Sequence, residues 1–216
     1  MRLHLPALLL ATAALALGAT ACGSDDGDQA SSAPKPVAQV DQLSGQSTAV
    51  TLDSGFASAL KSLKLTPGPV GDASISSAGV ASFPITGGNV TYYKPGTVSP
   101  FVQGEVDHDG SGLSLTGGGK KVELTDFVVD PGASELTGTV SVDGKVAAEN
   151  APLFFLDGRT LKPLEADSAN GTAVLEGTTV KLKAEAAQLL NTTFGVDALK
   201  EGLVIGVAKI TVNTGA

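Results

Sequence analysis

The densest cluster of groups able to do chemistry is Gly104-Glu105-Val106-Asp107-His108-Asp109-Gly110-Ser111-Gly112-Leu113. Asp107, Asp109 and Ser111 stand at alternate positions before a glycine. That copies the first half of a calcium loop, in which oxygen ligands converge on one hard cation. The second half is missing, because the twelfth position is Gly118 where a bidentate glutamate is required. The flanks also read as strands, which excludes an EF-hand. Two readings stay open for these residues, a weaker loop-bound Ca²⁺ and a plain hairpin turn built from Asp, Ser and Gly. His108, in the same segment, titrates near neutral pH and can donate, accept or ligate. Its place among turn-forming residues also suits an ordinary surface histidine. The tyrosines are Tyr92 and Tyr93, in Asn89-Val90-Thr91-Tyr92-Tyr93-Lys94-Pro95. A phenolate can ligate haem iron, although strand tyrosines more often seal a core with a polar tip. Neighbouring strand residues face opposite sides, so at most one of the pair points into a given pocket.

Catalytic signatures are absent. No G-x-S-x-G stretch follows a strand and opens a helix, and Gly45-Gln46-Ser47-Thr48-Ala49 is only a poor approximation to one. HExxH, P-loop and dinucleotide-binding glycine patterns do not occur. Carboxylate pairs such as Asp126 and Asp130 have the chemistry for acid/base work, but among 22 acidic residues they read as surface charges. The expectation is a non-enzymatic protein.

The N-terminus explains where the chain works. Met1-Arg2-Leu3-His4 precedes an apolar run from Leu5 to Leu17, then Gly18-Ala19-Thr20-Ala21 and Cys22. The run is shorter than the ~20 residues a membrane-spanning helix needs. Its layout is that of a signal peptide over residues 1–21. The small residues before Cys22 resemble the lipobox of bacterial lipoproteins, with Ala19 departing from the preferred Leu. Cys22 is the only cysteine, so it can form neither an internal disulfide nor a multi-cysteine metal site. The expected outcome is lipidation of Cys22 with palmitate-type chains and attachment to the cell membrane from its outer side; a conventional signal peptide with an incidental cysteine is the alternative. Several acyl chains give stable anchoring without a transmembrane helix.

Residues 22–46 are polar and small and read as a disordered tether. Asp25, Asp26 and Asp28 within it are solvated charges. Losing Arg2 with the signal peptide makes the mature chain one unit more negative than the −8 of the full sequence. That balance argues against nucleic acid, whose binding depends on Lys and Arg neutralising phosphates. Residues 47–216 are the right length for one domain.

Within that domain the pattern is mainly β. Val80–Ile85, Val122–Val129, Leu136–Val142 and Val204–Val212 alternate at period two. Thr86–Asn89, Thr116–Gly119, Val142–Lys145 and Ala169–Thr172 carry the turn chemistry of tight hairpins. A short amphipathic helix is predicted over Asp53–Lys64, with Phe56, Leu60 and Leu63 on one face and Asp53 or Ser54 as N-cap. Ala184–Asn191 is a second helix by propensity, and Asp197–Glu201 a further turn of helix. These elements predict an antiparallel β-sandwich or partly closed barrel with two short helices.

Phe83–Gly88, Gly104–Leu115 and Val122–Asp130, followed by Ala151–Asp157 and Leu182–Gly195, together resemble the HtaA-type domain of actinobacterial cell-surface haem-uptake proteins. The resemblance covers about residues 50 to 212, in loose patterns. It implies a β-rich fold with a small helical component, and haem as ligand. Haem-binding members hold ferric haem through a tyrosine on an N-terminal segment after an aromatic residue, assisted by a histidine in the strand-turn matching Glu105–Leu113. His108 fits the histidine. The tyrosine position does not fit, since Phe56 is followed by Ala57-Ser58-Ala59-Leu60. Tyr92 or Tyr93 could substitute only if the fold brings one of them to face His108. The leading expectation is therefore a surface-displayed binding module with its site around His108. Its rivals are a structural lipoprotein that contacts other envelope proteins and has no small-molecule site, and a Ca²⁺-stabilised β-domain using Asp107, Asp109 and Ser111.

Overall fold

The computed structural model describes residues 33–214. The expected signal peptide, Cys22 and the first part of the expected tether lie outside that range. In chain order the elements are β1 (Ala38–Val40), β2 (Gln46–Leu52), α1 (Ser54–Ser62), β3 (Thr66–Gly71), β4 (Ser74–Ile75), β5 (Val80–Pro84), β6 (Gly87–Tyr92), β7 (Val102–Gly117), β8 (Lys120–Asp130), β9 (Glu135–Val142), β10 (Lys145–Asp157), β11 (Glu165–Asp167), β12 (Thr172–Leu182), α2 (Ala184–Phe194) and β13 (Val204–Asn213). Among the described residues all thirteen strands belong to one sheet, in the order β1-β6-β7-β8-β9-β10-β12-β13-β2-β5-β4. In addition β3 pairs with β7, and β11 with β12.

The sheet curls because β5 runs almost directly into β6 while the two bind strands far apart in the order. β5 pairs with β2, and β6 with β7. Between them, Ile85 N donates to Gln46 O at 2.9 Å and Thr86 N to Asp107 O at 2.9 Å. The chain thus crosses from one flank of the curl to the other. Of the two expected architectures, the partly closed barrel is the one formed. Alternate residues of strands such as β5 and β8 face inward, and the buried apolar side chains make a single core.

The predicted strands and both helices are present. Asp53 caps α1, its Oδ1 accepting from Gly55 N at 2.7 Å and Phe56 N at 3.2 Å, and the helix buries Phe56 and Leu60. Gly195, at φ 66, ends α2 in the left-handed conformation. Asp197–Glu201 does not form a helical turn. Leu199 is instead drawn into the core, held by Asn191, whose amide donates to Leu199 O at 2.8 Å and accepts from Leu199 N at 3.2 Å.

Two boundaries move. Thr86–Asn89 is not a hairpin turn, since Gly87 opens β6 and pairs with Asp107. The tether does not extend to residue 46. Ala38, Gln39 and Val40 pair with β6, Leu43 is buried and donates through its N–H to Gly88 O at 2.8 Å, and Gln46 opens β2. The alternation Ala38-Gln39-Val40 was too short beside Asp, Ser and Pro to read as a strand. An edge of the sheet supplies the ladder that makes it one.

Candidate functional site

β7 is where the chemistry-bearing residues sit, and its path sets their directions. One of its edges is taken by β8; the other is shared, β6 binding Val102–Asp107 and β3 binding Ser111–Thr116. At the changeover the β7–β8 register slips between His108 and Gly112, with a matching slip in β8 between Thr125 and Val128. Asp126 adopts φ 53 and pins this bulge, its carboxylate accepting from Gly110 N at 3.0 Å and from Thr125 Oγ1 at 2.8 Å. Asp130 is likewise structural, accepting from Ala133 N at 2.9 Å in the turn after β8.

The alternation that buries Val102 and Val106 carries His108 inward as well, and the bulge reverses the parity only after it. His108 is not a surface residue in a turn but a strand residue with 1% exposure. Its Nδ1 lies 3.2 Å from Phe127 O, and its Nε2 2.8 Å from Thr48 Oγ1. A carbonyl oxygen only accepts, so Nδ1 carries the proton. Nε2 is then the lone-pair nitrogen and accepts the Thr48 hydroxyl hydrogen. Phe83 meets the ring edge-on, with centroids 6.5 Å apart. Burial pushes the imidazole down to about 4, against the raising effect of the Phe127 and Val106 carbonyls. The ring is neutral at physiological pH.

His108 and Thr48 line a cavity of about 780 Å³ enclosed by the inner face of the curl. Its walls are mostly aliphatic and aromatic, including Phe83, Phe127 and Phe154. Tyr92 also lines it, buried to 8% exposure and packed edge-on against Phe101 at 5.8 Å. Tyr93, the next residue, is not among the lining residues. Tyr92 pairs with Val102, six residues from His108 along β7. An extended strand spans about 20 Å over that distance. Tyr92 and His108 therefore share one wall but lie at different depths, and the fold does not bring the phenol opposite the imidazole.

Asp107, Asp109 and Ser111 do not converge. The Asp109 carboxylate accepts from Thr86 Oγ1 at 3.2 Å on the exposed side. The Ser111 hydroxyl, fully buried, donates to His108 O at 3.2 Å. The alternation that looked like a calcium loop is a strand period interrupted by a bulge, so the oxygens are dealt to different sides. Among the described residues no group of three or more His, Cys, Asp or Glu side chains is placed to hold a metal.

Sequence reasoning missed the cavity mouth. Asp157, at the end of β10, is buried and bound by Arg159 through Nε at 2.9 and 3.1 Å and Nη2 at 2.6 Å, and by Lys181 Nζ at 2.7 Å. The Arg159 and Lys181 hydrogen bonds hold Asp157 well below the usual carboxylate range. Arg159 lines the cavity. One signal was available, because Arg159 is the only arginine after Arg2 in a chain otherwise furnished with lysine.

Neither a known family model nor a curated protein matches the chain. Solved structures do. The C-terminal domain of HtaA from Corynebacterium glutamicum is similar over 81% of this chain and 99% of that one, at 12% identity and a TM-score of 0.54. The heme binding protein HtaB of the same organism is similar over 81% and 95%, at 11% identity and a TM-score of 0.48. At such identity it is the backbone that is shared, and on the first of these likenesses the chain has the HtaA-type fold that its sequence led us to expect.

Proposed function

We propose that this protein is a non-enzymatic binding module, held at the outer side of the cell membrane by lipidated Cys22, whose cavity takes haem. The observation that carries the reading is His108, a neutral imidazole with its Nε2 lone pair at the wall of an apolar cavity. A carbonyl that accepts from Nδ1–H fixes the tautomer and ring orientation in which a histidine presents Nε2 to a metal. The volume falls within the ~300–1,000 Å³ of small-molecule sites, and apolar walls suit a macrocycle. His108 Nε2 would hold the iron, giving up the Thr48 hydroxyl to do so; Tyr92, nearer the mouth, would flank the ligand rather than oppose the imidazole. Bound haem supplies a Lewis-acidic iron, and the protein supplies a dry enclosure and one nitrogen donor. The missing tyrosine after Phe56 thus moves the expected ligation from phenolate to imidazole.

Titration with hemin, followed by its absorption spectrum, tests the reading. The expected result is a saturable Soret shift that is lost in His108→Ala and retained in Tyr93→Phe. An unchanged free-hemin spectrum would overturn it. Anchoring is tested separately: Cys22→Ser is expected to move the protein from the membrane fraction to the medium, and unaltered membrane retention would remove the lipid anchor from the proposal.

A further inference from the structure

The inner end of the cavity is described by His108. The mouth is built differently. Its lining comes from the segment after β6 (Pro100, Phe101), the turn after β8 (Pro131, Ser134) and the short 3-10 turn Gly158–Thr160 after β10. The first two contribute apolar or small groups. The third contributes Arg159, whose side chain is 82% exposed.

Two cations meet there over one carboxylate. Asp157 accepts from Arg159 N at 3.2 Å, from the Arg159 guanidinium, and from Lys181 Nζ. Of the five guanidinium N–H groups, those on Nε and one on Nη2 are engaged with Asp157, which leaves three donors for another partner. Lys181 Nζ uses one of its three donors on the same carboxylate. The cluster carries net charge +1 on a chain of −8. A planar donor fork with spare N–H groups at the lip of an apolar cavity matches a carboxylate on the edge of an otherwise apolar molecule.

We propose that Arg159, supported by Lys181, receives the anionic edge of the cavity's ligand, so that the site selects apolar molecules ending in a carboxylate over their uncharged counterparts. This rests on the reading of the cavity as a ligand site, and it holds whether the apolar body is a porphyrin or an acyl chain. Asp157 acts as an internal competitor that keeps the fork oriented and occupied until the ligand's carboxylate shares it.

The test compares acid and ester forms of two ligand types. One arm uses metal-free protoporphyrin and its dimethyl ester, followed by porphyrin fluorescence. The other uses a dansyl-labelled undecanoic acid and its methyl ester. For whichever acid binds, Arg159→Gln is expected to weaken binding by about three- to tenfold, as for an exposed charge-assisted contact. Asp157→Asn is expected to strengthen it by a similar factor. Both variants should leave ester binding unchanged, which a merely structural role for the turn would not do. Equal binding of acid and ester, equal losses for both, or no binding in either arm would overturn the proposal. Hemin acts as the separate control. A protein that binds hemin without acid-over-ester selectivity refutes the Arg159 assignment and keeps the haem reading; one that ignores hemin but selects the fatty acid does the reverse.

Discussion

Replacing His108 by glutamine keeps a polar group beside Thr48 and Phe127 and removes the ring that titrates. In the unfolded chain the imidazole has its ordinary value near 6.5; in the folded protein burial lowers it to about 4. Between those values the unfolded chain binds a proton that the native state refuses, so stability falls as pH falls. The contribution is complete above pH ~6.5, is lost progressively below it and levels off under pH ~4. At about 1.4 kcal/mol per pH unit, the gap between 6.5 and about 4 amounts to about 3 kcal/mol. Carboxylates also titrate in this window, but they are common to both proteins and cancel in the difference. Urea unfolding followed by circular dichroism at pH 7 and pH 4 is therefore expected to show the native sequence losing about 3 kcal/mol more than His108→Gln. In thermal melts that is a further drop of about 6–12 °C for a domain of this size. Equal losses in the two proteins would mean that the ring is not buried in its neutral form, and the assignment of Nε2 as a lone-pair donor would fall with it.

Thr48→Val removes the hydroxyl that donates to Nε2. Urea titration is expected to show a loss of about 1–3 kcal/mol, the cost of an unpartnered buried polar atom. Hemin titration of the same variant should show tighter binding, because nothing competes for the lone pair; unchanged or weaker binding would mean that Nε2 is not the ligand. Gly112→Ala and Gly144→Ala test the close approach that shapes the bulge. At Gly112 an added Cβ would lie 2.1 Å from Leu124 O, inside the β7–β8 ladder. Its cost is expected to exceed about 3 kcal/mol by chemical denaturation. At Gly144 it would meet nothing within 4 Å, and only the positive φ opposes it, so about 1 kcal/mol is expected. Similar costs at the two positions would contradict the packing described for β7.

The strands and helices were legible because each depends on local periodicity and capping. Val80–Ile85 alternates, and Asp53 precedes Phe56, Leu60 and Leu63 at helical spacing. β7 was misread because its middle, Asp107-His108-Asp109-Gly110-Ser111-Gly112, has the composition of a turn. The residues themselves carried a subtler sign. Val102, Val106 and His108 fall on even positions, and Leu113 and Leu115 on odd ones; all are buried. A change of parity between two apolar runs with no hairpin between them is what a bulge produces. β8 repeats it, with Val122 and Leu124 buried before Asp126 and Phe127 and Val129 after it. Read as one strand, the segment puts His108 on the apolar side. Thr48, Arg159 and Lys181 could not be found in this way. Thr48 is 60 residues from His108 and reaches it only through the curl, and Lys181 reaches Asp157 only through the β10–β12 register.

The histidine's place in the wall bears on why it is there. A buried pair that only joined β7 to β2 would be served by two aliphatic side chains, with no desolvation to offset and no acid sensitivity; such replacements of buried polar pairs are often neutral or stabilising. His108 and Thr48 are instead satisfied by each other and by one carbonyl, and among the described residues no buried side-chain polar atom is left without a partner. The arrangement holds the ring in one tautomer and one orientation while committing its lone pair to a hydroxyl, a partner that a metal ion can displace. A purely structural clasp predicts that His108→Leu with Thr48→Val restores stability and leaves hemin binding as it was. A ligand site predicts that the same double variant restores stability, loses the pH dependence and abolishes the Soret shift.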